Sequence, residues 1–316
     1  MENRKAFSLS GSARDEGHGI LMRRAARASL GVSLLLVGIK SFAYFASGSV
    51  AMLASLADSA LDLFTAALNM LAIHEALTPA DAEHRFGHGK AEPLAGLAQG
   101  AFIAASAVFL VIQAVQRLIA PQPIANSLEA LLVMCVSIFA AICLLLYERG
   151  VAAKTGSVAV TADATHYFGD LVTNIGVVVA IVMVAKLGWI RADPIIALLV
   201  ALVLVGTAWG VFRKSLDQLM DHELPVEDRQ KIIAIVSRHE DVLALHELKT
   251  REAGLGIFIQ LHIELDPNMP LARAHEVSDT VEHEICAAFP NAEVIIHQDP
   301  AGLEDSVQAP DRIIAV

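Results

Sequence analysis

Six long apolar runs, near residues 25 to 46, 50 to 75, 94 to 118, 128 to 147, 157 to 185 and 192 to 212, occupy the first two thirds of the chain. Each is about the ~20 residues that a helix needs to cross a bilayer, so the pattern predicts six transmembrane helices. Basic residues orient them. Arg23, Arg24 and Arg27 precede the first run, Arg85 and Lys90 follow the second, Arg149 and Lys154 the fourth, and Arg213 and Lys214 the sixth, which puts all of these ends in the cytoplasm. The opposite connections, Ser47-Gly48-Ser49, Pro121-Gln122-Pro123 and the stretch from Gly188 to Pro194, contain only Arg191 as a basic residue. An even number of spans leaves both termini inside. Residues 1–20 are polar and mixed, without an apolar core or a small-residue cleavage site, and are expected to form a short cytoplasmic tail rather than a removed signal.

After residue 214 the period changes. Residues 225 to 239 read as an amphipathic helix with Pro225 in its first turn and Ile232, Ile233, Ile235 and Val236 as its apolar positions. In 255 to 265, Ile257, Ile259, Leu261 and Ile263 alternate with Phe258, Gln260, His262 and Glu264, the period of two of a half-buried strand. A strand over 242 to 249, a helix over 271 to 289 and a strand over 293 to 297 complete the order α, β, β, α, β, a small α+β sandwich. The domains expected are therefore a tail to residue 20, a six-helix membrane domain over 21–214, an α+β domain over 215–300 and a disordered tail over 301–316.

Composition agrees with this division. Of 316 residues 55% are hydrophobic and 18% charged, with a mean hydropathy of +0.56, the profile of a polytopic membrane protein. Residues 215–316 hold 7 Lys and Arg against 20 Asp and Glu, a net of −13, while the preceding part holds 16 against 14, a net of +2. An acidic domain that also carries 7 of the 12 histidines argues against nucleic acid and for cations. The three cysteines, Cys135, Cys143 and Cys286, form no CxxC pair and read as small hydrophobes in packed helices.

Polar residues inside the apolar runs carry the chemistry. Asp58 and Asp62 are four residues apart, as are His166 and Asp170, so each pair projects from one helix face. At about 1.5 Å per residue both pairs fall near the bilayer middle, where an ionised carboxylate is expensive and an ion or proton pathway is the default reading. The alternative is four buried polar groups bonded to helix backbone or to each other. Three carboxylates and one imidazole suit a four-coordinate divalent ion such as Zn²⁺, and such a group titrates because metal and protons compete for the same lone pairs. Lys40 is expected to snorkel to the outer surface and Asp163 to lie close to the inner one, outside this set. A second set, Asp81, His84 and His88, lies in the loop after the second run and reads equally as a metal site or as solvated loop. A third, His246, His262, His275, His297 and Asp299, falls on adjoining elements of the sandwich and points to a metal cluster; His222, His239 and His283 read as surface residues. These residues alone leave open a passive channel, a metal-sensing membrane protein and an intramembrane metallohydrolase. Four protein ligands without a separate general base argue against the hydrolase.

Several stretches together resemble a known family. They are Ser47-Gly48-Ser49-Val50-Ala51-Met52-Leu53-Ala54-Ser55-Leu56-Ala57-Asp58-Ser59, Phe86-Gly87-His88-Gly89-Lys90-Ala91-Glu92, Ala162-Asp163-Ala164-Thr165-His166-Tyr167 ending at Asp170, and Ile295-Ile296-His297-Gln298-Asp299-Pro300. From about residue 20 to Pro300 the chain resembles the cation diffusion facilitators, and among them the bacterial zinc and ferrous-iron efflux branch. The resemblance implies a homodimeric divalent-metal/proton antiporter of the bacterial inner membrane, exporting Zn²⁺ and, as further substrates, Fe²⁺ or Cd²⁺, with a metallochaperone-like cytoplasmic domain. It makes Asp58, Asp62, His166 and Asp170 the transport site and Asp81, His84 and His88 a loop site. It also makes His246, His262, His275, His297 and a bridging Asp299 a binuclear cytoplasmic site, and pairs Lys90 with Asp221 in the dimer. Thr165 departs from the apolar residue usual beside the site histidine. A Mn²⁺- or Co²⁺-preferring exporter of the same family is the alternative, since Asp and His accept all of these ions.

Overall fold

The computed structural model describes residues 2–47, 50–119, 128–189, 191–302 and 311–314. Residue 1, the connections at 48–49 and 120–127, residue 190, and residues 303–310 and 315–316 lie outside the described residues. Two compact units divide the chain: His18–Leu216 forms one, and the residues up to Gly17 group with those from Asp217 onward in the other.

The membrane unit takes α1 (Glu2–Ser47) from His18 onward, α2 (Val50–Ala76), α3 (Ala91–Ile119), α4 (Leu128–Thr155), α5 (Val158–Leu187) and α6 (Ala192–Leu219) as far as Leu216. Among the described residues these six are long and apolar enough to cross a membrane, the number that the apolar runs predict. The helices outlast the runs. The N-terminal residues expected as a tail are already helical in α1, and α4 and α6 continue through their basic ends to Thr155 and Leu219.

Helix α5 carries half of the mid-membrane set, and its position is closely specified. Gly156, at φ +70° in the left-handed region that glycine enters without cost, turns the chain out of α4. Ser157 then caps α5 by accepting from the Val160 N–H at 3.2 Å, while its own hydroxyl donates to the buried Glu92 carboxylate of α3 at 2.5 Å. Tyr167 ties α5 to α1, its hydroxyl 3.0 Å from the hydroxyls of both Ser29 and Ser33. Against α6, glycines allow a close approach: a Cβ on Gly169 would meet Leu204 at 2.7 Å, and one on Gly176 would meet Val200 at 2.9 Å. Asp163 is 2% exposed and accepts from Gln99 at 3.3 Å, so it is buried among helices.

The second unit comprises α7 (Val226–Val236), β1 (Ala244–Ala253), β2 (Gly256–Leu265), α8 (Leu271–Ala288), β3 (Ala292–Pro300) and β4 (Ile313–Ile314). The sheet order is β3-β2-β1-β4, with β1 antiparallel to β2 and β4, and β2 parallel to β3. Both helices bury one stripe against it: Ile232 and Val236 from α7, and Val277, Val281 and Ile285 from α8, over Leu245, Ile259, Leu261 and Ile263. Fully burying each such aliphatic side chain contributes about 1.5–3 kcal/mol. Within the tail expected to be disordered over 301–316, the described residues 313–314 add a short strand to β1. Glu264 differs too. Alternation assigns it to the half-exposed face, yet it is fully buried, because Arg312, just before β4, closes over it.

Candidate metal centres

In the membrane unit the two i, i+4 pairs meet. Asp58 and Asp62 sit two to three turns into α2, and His166 and Asp170 the same distance into α5, so both pairs reach one depth. His166 Nε2 lies 3.1 Å from Asp62 Oδ1 across the two helices and 3.6 Å from Asp170 Oδ2 within its own. One donor atom from each of these three residues lies within 4.8 Å of the others, close enough to share an ion. Asp58 stands outside that trio but lines the same cavity of about 260 Å³, with Asp62 and Asp170. The supporting polar groups hold the helices rather than the carboxylates: Thr65 donates to the Asp62 carbonyl at 2.9 Å and Asn174 to the Asp170 carbonyl at 2.8 Å. Thr165 donates back to the Thr161 carbonyl at 2.8 Å, which occupies its hydroxyl within α5.

Lys40 departs from expectation. It is 7% exposed rather than snorkelling outward, and Nζ donates to the Ser59 hydroxyl at 2.6 Å and the Ser55 carbonyl at 3.2 Å. These two acceptors share one face of α2, and its cavity contains three carboxylates, so the ammonium is solvated from within.

The loop set is also assembled. Asp81 Oδ1 accepts the backbone N–H groups of His84 at 2.6 Å and Glu83 at 2.8 Å, a turn that folds the histidines back on it. The His84 backbone N–H chiefly, with that of Glu83, holds the Asp81 carboxyl below its ordinary range. His88 Nε2 is 3.1 Å from His84 Nδ1 and 3.5 Å from Asp81 Oδ2. It is also 3.6 Å from Glu75, at the end of α2, a neighbour that spacing in the loop did not reveal.

In the second unit sheet register builds the third set. His246 on β1 is directly opposite His262 on β2, and His262 is in register with His297 on β3, so three imidazoles form one row across the sheet. Asp299, two residues on from His297, is 2.9 Å from His262 Nδ1, 3.3 Å from His246 Nε2 and 3.3 Å from His297 Nε2. Two imidazoles and a carboxylate with donor atoms within 4.8 Å of one another are a fitting donor set for Zn²⁺. His275 does not join them. Helix α8 turns Ala274 and Ser278 toward the sheet, which leaves His275 67% exposed and 3.8 Å from Asp279. Behind the row lies Glu264, 3.6 Å from His246 Nδ1 and paired with Arg312 through Nε at 2.6 Å. Arg312 holds the Glu264 carboxyl below its usual range. Asp221 meets Arg251 of its own unit at 3.2 Å.

Six apolar helices carrying carboxylates and an imidazole at mid-depth, followed along the chain by a small α+β unit with a histidine row, define a multi-pass membrane protein with candidate cation ligands in both units. Residues 26–220 match the cation efflux transmembrane domain, and residues 224–301 match the cation efflux protein cytoplasmic domain. The chain belongs to the cation efflux, or cation diffusion facilitator, family, whose members are transporters and not enzymes. It is 43% identical over 287 residues to the cation-efflux pump FieF of Shewanella oneidensis, covering 91% of this chain and 97% of that one. It is 40% identical over 294 residues to protein p34 of Rickettsia rickettsii, covering 93% and 97%. A solved structure of the metal-bound C-terminal domain of the CzcD transporter from Thermotoga maritima is 29% identical, covers 25% of this chain and 93% of that one, and has a TM-score of 0.24.

Proposed function

We propose that this protein exports Zn²⁺ from the bacterial cytoplasm across the inner membrane in exchange for protons, and that Asp58, Asp62, His166 and Asp170 form the transport site. The observation that carries this reading is the 3.1 Å approach of His166 to Asp62 across α2 and α5, at one depth in the membrane unit. Such groups are costly there unless an ion or a proton occupies them. A mixed N and O set accepts Zn²⁺ readily and Fe²⁺ or Cd²⁺ as further substrates. Metal and protons compete for the same imidazole and carboxylate lone pairs, which couples the ion to protons. The active unit is a homodimer with both termini in the cytoplasm. His246, His262 and Asp299 hold a resident divalent ion that cross-links β1, β2 and β3, with His297 beside it, and occupancy biases how the two copies meet. The loop set Asp81, His84 and His88 offers a further site at the inner membrane face.

Purified protein in proteoliposomes with an imposed pH gradient tests this, comparing Zn²⁺, Fe²⁺ and Mn²⁺. Zn²⁺ flux that accelerates with an opposing proton gradient, and moves protons the other way, is expected. Flux indifferent to the proton gradient means a passive channel, and a preference for Mn²⁺ overturns the choice of metal.

A further inference from the structure

A lysine in the middle of a cation pathway needs a reason, because a fixed positive charge opposes the substrate. Lys40 of α1 is such a residue. It lines the same cavity as Asp58, Asp62 and Asp170, and it interacts electrostatically with Asp58 and Asp170. Both of its hydrogen-bond partners among the described residues are neutral oxygens, Ser55 O and Ser59 Oγ, one turn apart on α2. The ammonium is thus anchored beside the carboxylates without occupying their lone pairs. They stay available for metal, and the lysine acts on them through space.

We propose that Lys40 is a specificity-determining residue of the transport site: its anchored ammonium sets the formal charge of the cavity to −2, so that one divalent ion neutralises it. Three carboxylates alone carry −3. A site of that charge keeps −1 after taking up a divalent ion and holds it too tightly to release. With Lys40 in place the loaded cavity is neutral, and the ion leaves at a useful rate. The same balance disfavours a trivalent ion, which would leave +1 in a poorly solvated space. Substrate charge and substrate release therefore depend on one residue of α1 that is no metal ligand.

The inference rests on the transport-site reading above, so Asp62→Ala is the reference: the Zn²⁺-binding step that it removes is the one to follow. In proteoliposomes, Lys40→Gln keeps a donor for Ser55 and Ser59 and removes only the charge. Its KM for Zn²⁺ should fall at least about tenfold, as expected for loss of a unit charge this near a divalent ion, and kcat should fall with it. Lys40→Met should do the same, Lys40→Arg should retain the wild-type values, and Tb³⁺ should compete with Zn²⁺ only in the two neutral variants. Loss of α1–α2 anchoring alone would raise KM or leave it unchanged while lowering kcat. A folded Gln variant of unchanged or raised KM overturns the proposal, and if that variant does not fold, the Met variant decides by the same reading. If Asp62→Ala transports and binds Zn²⁺ normally, the transport-site reading fails instead.

Discussion

Arg312 grips Glu264 with a two-pronged ion pair, Nε to Oε1 at 2.6 Å and a terminal guanidinium nitrogen to Oε2 at 2.9 Å, linking the last described strand to the row of histidines. Glu264 is fully buried and faces His246, a candidate metal ligand. Its carboxyl is held below the usual value by this arginine, so the pair contributes stability above the unfolded carboxylate value of about 4.3, and loses it as pH falls through the folded value. Hydrogen exchange of the β1 and β2 amides in the full-length protein should show steady protection from neutral pH to about 5 and a decline below that. Arg312→Ala should lower protection already at neutral pH and flatten the acid decline, since a buried carboxylate without its partner is destabilising at every pH where it is charged.

Replacing Asp62 or Asp170 with Ala should reduce Zn²⁺ transport in proteoliposomes to background while the protein still purifies as a folded oligomer, because each removes a donor where water is a poor substitute. His166→Asp leaves four oxygen-bearing side chains, a harder set that should move the Zn²⁺/Mn²⁺ rate ratio toward Mn²⁺. An unaltered ratio would count against His166 as a ligand.

The two close α5–α6 contacts should respond differently to a methyl group. At Gly169 a Cβ meets only the flexible end of Leu204, and a gain of about 1 kcal/mol in helix propensity offsets the crowding, so Gly169→Ala should be near neutral. At Gly176 it meets the stiff branched chains of Val200 and Ile196, and Gly176→Ala should cost about 1–3 kcal/mol. Unfolding in mixed micelles compares the two; equal stabilities would show that α6 simply moves away.

Zn²⁺ should raise the melting temperature of the cytoplasmic unit in the full-length protein, because bound cations offset part of the −13 formal charge of residues 215–316 and cross-link three strands. Asp299→Ala should erase most of this gain, since Asp299 is the group that all three histidines of the row approach. Asp62→Ala should leave it intact. Calorimetry with and without Zn²⁺ separates the two sites, and a gain that survives Asp299→Ala would place the ion elsewhere.

The sequence by itself determined six apolar helices, the α, β, β, α, β order that follows, and the candidate groups at mid-membrane and in the loop, because these depend on local period: runs of about 20 apolar residues, carboxylate and imidazole four residues apart on one helix face, alternation along a strand. What it could not determine depends on which elements become neighbours. Lys40 reads as a snorkelling cation until α2 brings Ser55 and Ser59 to its ammonium, and Glu264 reads as half-exposed until Arg312 returns from beyond the sheet to cover it. His275 reads as a ligand until the buried stripe of α8 turns it away, while register places three other histidines in one row. Tertiary structure decided these because a charged side chain takes its position from the partners that distant segments offer, and period along the chain says nothing about those partners.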